Sequence, residues 1–246
     1  MRWGPLAHIF MFGDYERDRW VAEQARRLPA GSKVLDVGAG PCRYRTLFSH
    51  CDYKTQDFCQ YEGSSIGPLA DMGKWAYGKI DYVCDATSIP VPDGSFDVVC
   101  CTEVLEHVPE PIRAVQEMAR ILKPGGKLLL TAPMGSFLHQ EPFHFYGGYT
   151  PHWYRKFLPE AGMEVVSIEP NRGLFSWFGQ EAQRFSAFID PRRTLKTGWC
   201  WPFLTLLWLV TLPFCRLLFP LVGQSLDELG LGQVATVGYH VVAIKR

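Results

Sequence analysis

The stretch VLDVGAGPCRY, residues 34 to 44, has the residue types of a ligand-binding turn. An apolar strand running into Gly38-Ala39-Gly40 presents backbone amides with no Cβ in the way, ahead of a helix N-terminus where N–H groups lack partners. Such a turn suits a nucleotide. Asp57 follows at the interval where a carboxylate ending the second strand of a nucleotide fold can hold the two hydroxyls of a ribose. Asp85 ends the third, where a carboxylate can accept a bond from an adenine amino group. The dinucleotide fingerprint requires a third glycine where Arg43 stands, so a dehydrogenase is the weaker reading.

The elements that must position these residues follow from the apolar pattern. ERDRWVAEQARRL places Trp20, Val21, Ala25 and Leu28 near one face of a helix that ends before Pro29. Short apolar runs then alternate with helical patterns: KVLDV, a helix through Leu47 and Phe48, YKTQD, IDYVCD, FDVVCC, the helix PIRAVQEMARIL, and KLLLTAP. A helix over residues 151 to 161 leads to MEVVSIE, and ATVGYHVVAIKR forms the last strand. Strands apolar on both faces, separated by helices, predict an α/β fold: a doubly wound, mostly parallel sheet covered on both sides. With 246 residues, one domain carrying an insertion is expected: residues 1–171 and 234–246 as the cofactor-binding domain, 172–233 as the insertion.

Composition narrows the function. Twenty-five basic and twenty-five acidic residues give zero formal charge, so no broad field draws a polyanion, and no nucleic-acid partner is expected. The eight cysteines form no C-x-x-C pair and read as free thiols in a reducing compartment. No uninterrupted apolar run opens the chain, so a cytoplasmic location is expected. GSSIG, at residues 63 to 67, matches a hydrolase nucleophile motif, but no apolar strand leads into it and Pro68 follows.

Taken together, VLDVGAG, Asp57, DATSIPVPDGSFDVVCCTEVLEHVPEP and RILKPGGKLLLTAP resemble, in order and spacing, the class I S-adenosylmethionine-dependent methyltransferases, particularly the quinone and small-molecule branch. The resemblance is close over residues 32 to 133. It implies a seven-stranded Rossmann-like sheet whose last strand runs antiparallel between the fifth and sixth. It also implies S-adenosyl-L-methionine as cofactor, with Asp36, Gly38, Ala39 and Gly40 at its methionine portion and Asp57 at the ribose. Asp85 with Ala86 would meet the adenine, and Thr102 and Glu103 would lie beneath the sulfonium. The Asn/Asp-Pro-Pro-aromatic motif of nucleic-acid base methylation is absent where CTEVLEH stands.

Methyl transfer to a hydroxyl needs an aligned acceptor and a base, and both must lie beyond the carboxyl ends of the strands. EVLEHV follows the fourth strand; if helical, Glu103, Glu106 and His107 share one side. In the quinone O-methyltransferases that this sequence resembles, a similar E-x-x-E-H group binds a divalent metal. The pattern is common in metal-free relatives, so no metal ligand is expected, and Glu103 and His107 are read as bracing the cofactor loop. HQEPFHFYGGYTPHWYRKF, after the fifth strand, gathers His139, Glu141, His144, Tyr146, Tyr149 and His152 in one loop region. The candidate catalytic residues are therefore His107, His139 and His144. Thr150 reads as a helix N-cap, with Trp153 and Phe157 in the core.

WCWPFLTLLWLVTLPFCRLLFPLV, residues 199 to 222, has Arg216 as its only charge. Its length permits a membrane span of ~20 residues, but Pro202, Pro213 and Pro220 should break it, and the last strand must return to the sheet. The segment therefore reads as a hydrophobic element seated on a membrane surface, with Trp199 and Trp201 near headgroups and Arg192, Arg193 and Lys196 toward anionic lipid. The implied enzyme is peripheral on a cytoplasmic membrane face and methylates an oxygen, less readily a carbon, of a small or lipid-linked acceptor. The alternatives are a soluble natural-product methyltransferase whose insertion forms a homodimer interface, and an inactive cofactor-binding scaffold.

Overall fold

The computed structural model describes residues 4, 6–63, 75–192, 200–230 and 234–246. They divide into two compact units, one comprising Arg17–Ser64, Met72–Glu169 and Gly238–Arg246, the other Met1–Glu16, Ser65–Asp71 and Pro170–Val237. Among the described residues, the helical unit thus takes in residues 6–16 as well as most of the stretch read as an insertion.

The larger unit is built on seven strands, β1 (Lys33–Val37), β2 (Asp52–Asp57), β3 (Tyr82–Val83), β4 (Phe96–Thr102), β5 (Leu122–Pro133), β6 (Met163–Pro170) and β7 (Gly238–Lys245). Their order is β3-β2-β1-β4-β5-β7-β6, and β7 runs antiparallel to β5, with Leu130 opposite Val241. This is the expected methyltransferase sheet. Side chains along β4 alternate between two cores, as the pleat requires. Val99 and Cys101 pack with helices α3 (Pro111–Ile121) and α4 (Pro151–Glu160) through Val115, Met118, Tyr154 and Leu158. Val98 and Cys100 join Trp20, Val21 and Ala25 of α2 (Phe12–Arg26), which follows the short α1 (Ala7–Phe10). All eight cysteines are free thiols.

Local readings differ at three points. The helix expected through Leu47 and Phe48 is a chain of turns, held by bonds such as Arg45 N–H to Cys42 O and Cys51 N–H to Phe48 O. Cys42 sits at φ 57, outside the right-handed helical region, so an α-helix cannot run through it. Thr150 occupies the start of α4 with extended backbone but caps nothing with its side chain; Pro151 follows at N1. Trp153 and Phe157 are half-buried, and Tyr154 and Leu158 fill the core in their place.

In the smaller unit, α5 (Leu174–Phe188) is followed by α6 (Trp201–Pro213), a π-helical turn (Phe214–Leu218) and α7 (Phe219–Glu228). The last three form one continuous 28-residue helix, Trp201–Glu228, where the prolines were expected to break it. Pro202 and Pro220 lie in first turns of their segments, and the wider π turn after Pro213 re-registers the hydrogen bonds that a proline disrupts. The long helix lies antiparallel to α5. Asp227 accepts bonds from the N–H groups of Gly173, Phe175 and Ser176 at one end. Arg216 and Trp208 donate to Ser186 Oγ and O near the other. A Cβ on Gly223 would meet Phe175 O at 2.4 Å, so glycine is required for this approach. Thr236 Oγ1 donates to Asn171 O at 2.8 Å, closing the base of the excursion.

Candidate active site

The glycine turn leaves β1 with Gly38 at φ 69 and Gly40 at φ 49, a backbone that a side chain would strain. Gly38 N–H donates to Gln56 Oε1 at 3.2 Å, and Gly40 N–H donates to Asp57 Oδ2 at 2.8 Å. The other Asp57 oxygen accepts from Cys59 N–H at 3.0 Å. The carboxylate at the end of β2 thereby fixes the glycine turn of β1, and four acceptor sites leave it capacity for a ligand hydroxyl. Asp36 is buried and takes a bond from the Tyr53 hydroxyl. Burial pushes its pKa up to about 7, with Asp57 adding to the rise, so it would gain from a cationic partner. Asp85, exposed, accepts from Thr87 N–H and Oγ1–H, and Ala86 beside it is buried. Gly78 N–H donates to Gly40 O, and the Trp75 ring lies 3.0 Å from where a Cβ on Gly40 would be, in edge contact with Tyr61 and Tyr77.

Beyond β4 the chain turns sharply at Glu103, φ 53, into a single 3-10 turn, Leu105–His107. Glu103 accepts from Thr131 Oγ1 at 2.8 Å, and Arg17 Nη1 lies 3.7 Å from its second oxygen. It therefore leaves the helical face on which it was expected to join Glu106 and His107. The loop after β5 folds back onto this turn: Phe145 and Tyr146 donate their N–H groups to Glu106 O, and Tyr149 Oη donates to Leu105 O at 2.7 Å. Phe143 meets Phe58, just past β2, edge to face at 4.9 Å. The loop thus reaches from the end of β2 to the turn after β4, all at the carboxyl edge of the sheet.

This folding brings the three candidate histidines together, with ring centroids 4.8 Å apart for His107 and His139, 4.6 Å for His139 and His144, and 5.9 Å for His107 and His144. His107 Nδ1–H donates to Phe143 O at 2.6 Å. Burial, with help from His139 and His144, lowers its pKa to about 4, so it is neutral at pH 7 with a lone pair on Nε2. His144 is also pushed down, chiefly by burial. Glu106 is almost wholly buried; burial and then Glu103 raise its pKa well above the carboxylate range. His152 is exposed on α4, and Tyr146 donates to Pro109 O. The aromatic strap at Trp75 and the amide of Gln56 escape sequence reasoning, since neither belongs to a motif with readable spacing.

The comparisons with known proteins agree with this geometry. A family model described as a methyltransferase domain matches residues 35–130. An uncharacterized methyltransferase of Mycobacterium sp. (strain KMS) is 32% identical over 200 residues, covering 74% of this chain and 73% of the relative. The demethylmenaquinone methyltransferase of Paenarthrobacter aurescens (strain TC1) is 34% identical over 125 residues, 50% of this chain and 47% of that protein. Among solved structures, the [4+2]-cyclase SpnF shares the fold, with TM-score 0.54 and 19% identity over 94% of this chain and 80% of that one. The phosphoethanolamine N-methyltransferase 2 of Haemonchus contortus, in complex with S-adenosyl-L-methionine, gives TM-score 0.50 and 15% identity over 94% and 52%.

The fold and the glycine-turn site define a class I methyltransferase. The chain belongs to this family of S-adenosylmethionine-dependent methyltransferase enzymes. The residues present suit the cofactor: a glycine cradle held open by positive φ, a carboxylate at the end of β2, and the buried Asp36 carboxyl that a cation would ionise.

Proposed function

We propose that the enzyme methylates an oxygen of a lipid-linked or membrane-dissolved acceptor while seated on a membrane through its long apolar helix. In this reading Asp36, Gly38, Ala39 and Gly40 hold the methionine portion of the cofactor, Asp57 the ribose, and Asp85 with Ala86 the adenine. Thr102 and Glu103 close the site from below. The chemistry supplied by the bound cofactor is an electrophilic methyl group on a sulfonium. What remains for the chain is to align an acceptor oxygen in line with that methyl at roughly 3 to 3.5 Å and to remove its proton. His107, His139 and His144 stand at the carboxyl edge of the sheet for that task, with His107 held neutral by burial.

The observation that carries the membrane half is the Trp201–Glu228 helix. It is long and apolar enough to cross a membrane by length and composition, and little of its apolar stretch is buried. Trp201, Phe203, Leu206, Leu209 and Val210 are each more than half exposed, and Phe178 of α5 adds to the same unit's apolar surface. A patch of this kind needs a medium or a partner to cover it. An antiparallel partner helix and a closed base favour lying in the interface over a single crossing. Arg192, expected to face anionic lipid, pairs with Asp190 and lies 4.8 Å over Trp208. Trp199, Arg193 and Lys196 lie outside the described residues. The similarity to a demethylmenaquinone methyltransferase agrees with an apolar acceptor.

The test is transfer of labelled methyl from S-adenosylmethionine into vesicles made from total lipid extract, with water-soluble phenols and sugars in parallel. Label in the organic phase, on oxygen by mass spectrometry, is expected. Label found only in water-soluble products contradicts the lipid-linked acceptor, and label on nitrogen or carbon contradicts the oxygen.

A further inference from the structure

We infer that the tip of the loop after β5 dips into the bilayer beside the histidine cluster, so that the acceptor reaches the imidazoles from lipid and not from water. The inference rests on the proposed membrane-dissolved acceptor. It is carried by a separate observation, an apolar surface in the sheet unit that the long helix does not explain.

The loop is a closed excursion. Ser136 N–H donates to Gly147 O at 2.7 Å, and Tyr149 N–H donates to Pro133 O at 2.7 Å, which pins both arms at the base. Glu106 O takes the N–H groups of Phe145 and Tyr146, and Tyr146 Oη donates to Pro109 O at 2.9 Å. The tip is tethered, yet it holds its apolar side chains outward. Leu138 is 69% exposed, the most of any large apolar side chain among the described residues of the sheet unit, and Phe137 beside it is 52% exposed. Phe145 and Tyr146 are exposed on the other arm. No Asp, Glu, Lys or Arg stands between Met134 and Gln140.

The same loop shows that the fold can take up a large ring. Phe143 turns inward, edge to face on Phe58, whereas Phe137 gives its carbonyl to His139 Nδ1 at 2.8 Å and stays more than half exposed. An adjacent Phe and Leu held in water carry a cost that a covering medium removes.

What covers the tip follows from what stands next to it. His139 and His144 belong to this loop, with ring centroids 4.6 Å apart, and His144 Nε2 is bonded to Ser136 Oγ at 3.0 Å. A folded partner or a second copy seated on Phe137 and Leu138 would stand in the way of an acceptor bound for those imidazoles. A bilayer covers the same side chains and delivers the acceptor as well. The acceptor's apolar tail can then stay among acyl chains while the reacting oxygen rises to the histidines, so little apolar surface has to enter water. Tyr146, with its hydroxyl tied and its ring exposed, suits the headgroup level, where aromatic side chains with a polar end collect. The long helix seats the enzyme, and the loop tip sets the route of entry.

A fluorescent residue, dansylalanine, built into the full-length protein in place of Leu138, reads the tip directly. Vesicles of phosphatidylcholine and phosphatidylglycerol carry nitroxide quenchers on their acyl chains. These should dim the probe at Leu138 strongly and leave the same probe at Val166, an exposed position of β6, unchanged. Combining Phe137→Ser with Leu138→Ser should lower methyl transfer into total-lipid vesicles about tenfold or more. Unchanged affinity for S-adenosylhomocysteine reports that the double variant is folded. Vesicle-bound protein whose Leu138 probe is not quenched, or is quenched no more than the Val166 probe, overturns the inference and leaves the membrane seat standing. An unchanged transfer rate in the double variant overturns the route of entry. Protein that does not bind vesicles overturns both the inference and the membrane seat, and a probe shielded from water in a lipid-free dimer assigns the tip to a second copy instead.

Discussion

Helices α3 and α6 are both rich in apolar residues, and they do opposite things with them. In α3, Ala114, Val115, Met118, Ala119 and Ile121 are buried against the sheet while Arg113 and Arg120 form ion pairs on the other side. In α6 no residue is buried, and the apolar side chains point in all directions. A one-sided helix finds its partner within its own fold, and a helix apolar all round demands a different surrounding. The contrast separates the part of the chain that builds the cofactor site from the part for which a membrane seat is proposed.

The largest expected effect breaks the second half of that contrast. If the proposed membrane seat holds, replacing Leu206, Leu209 and Val210 by glutamate should remove three lipid contacts worth about 1.5 kcal/mol or more each, together about a thousandfold in partition. Vesicle co-sedimentation should lose the triple variant while its affinity for S-adenosylhomocysteine stays unchanged. The mirror experiment is Met118→Ala in α3, expected to cost about 2 to 5 kcal/mol of stability by leaving a cavity. Denaturant melts should show that loss, and vesicle binding should not move.

Within the sheet unit, Asp57→Ala removes a carboxylate that orders both Gly40 and Cys59, and calorimetry should show cofactor affinity falling at least tenfold, about 1.4 kcal/mol or more. The smallest effect concerns Asp36. Its folded pKa of about 7 lies above the ordinary 3.8, so between those values the folded chain keeps a proton that the unfolded chain has lost. Ligand-free stability therefore falls as pH rises across that window and levels off above it. If the cofactor's ammonium ionises Asp36, S-adenosylhomocysteine should bind about tenfold more tightly at pH 8 than at pH 6, and Asp36→Asn should flatten the profile.

The sheet was legible because its signals are local. KVLDV, FDVVCC and KLLLTAP are short apolar runs, and Gly38 and Gly40 mark a backbone that few other residues can adopt. The long helix was misread because proline is a local signal too: the π turn between Pro213 and Pro220 absorbs what the prolines remove, and no spacing announces such a turn. Glu103 was placed on a helix face by counting, yet its left-handed backbone turns it toward Thr131. His107, His139 and His144 were picked by residue type and by position after strands. Their convergence depends on bonds such as Phe145 N–H to Glu106 O, across almost forty residues of chain, which periodicity does not encode.

Flotation of the purified protein with liposomes, in the presence of labelled S-adenosylhomocysteine and with no detergent, tests the division of labour most directly. Protein and label should rise together with the vesicles, and the triple glutamate variant should stay at the bottom with its label still bound. Wild-type protein remaining at the bottom as a ligand-bound dimer would contradict it, and would assign the apolar helix to a second copy of the chain.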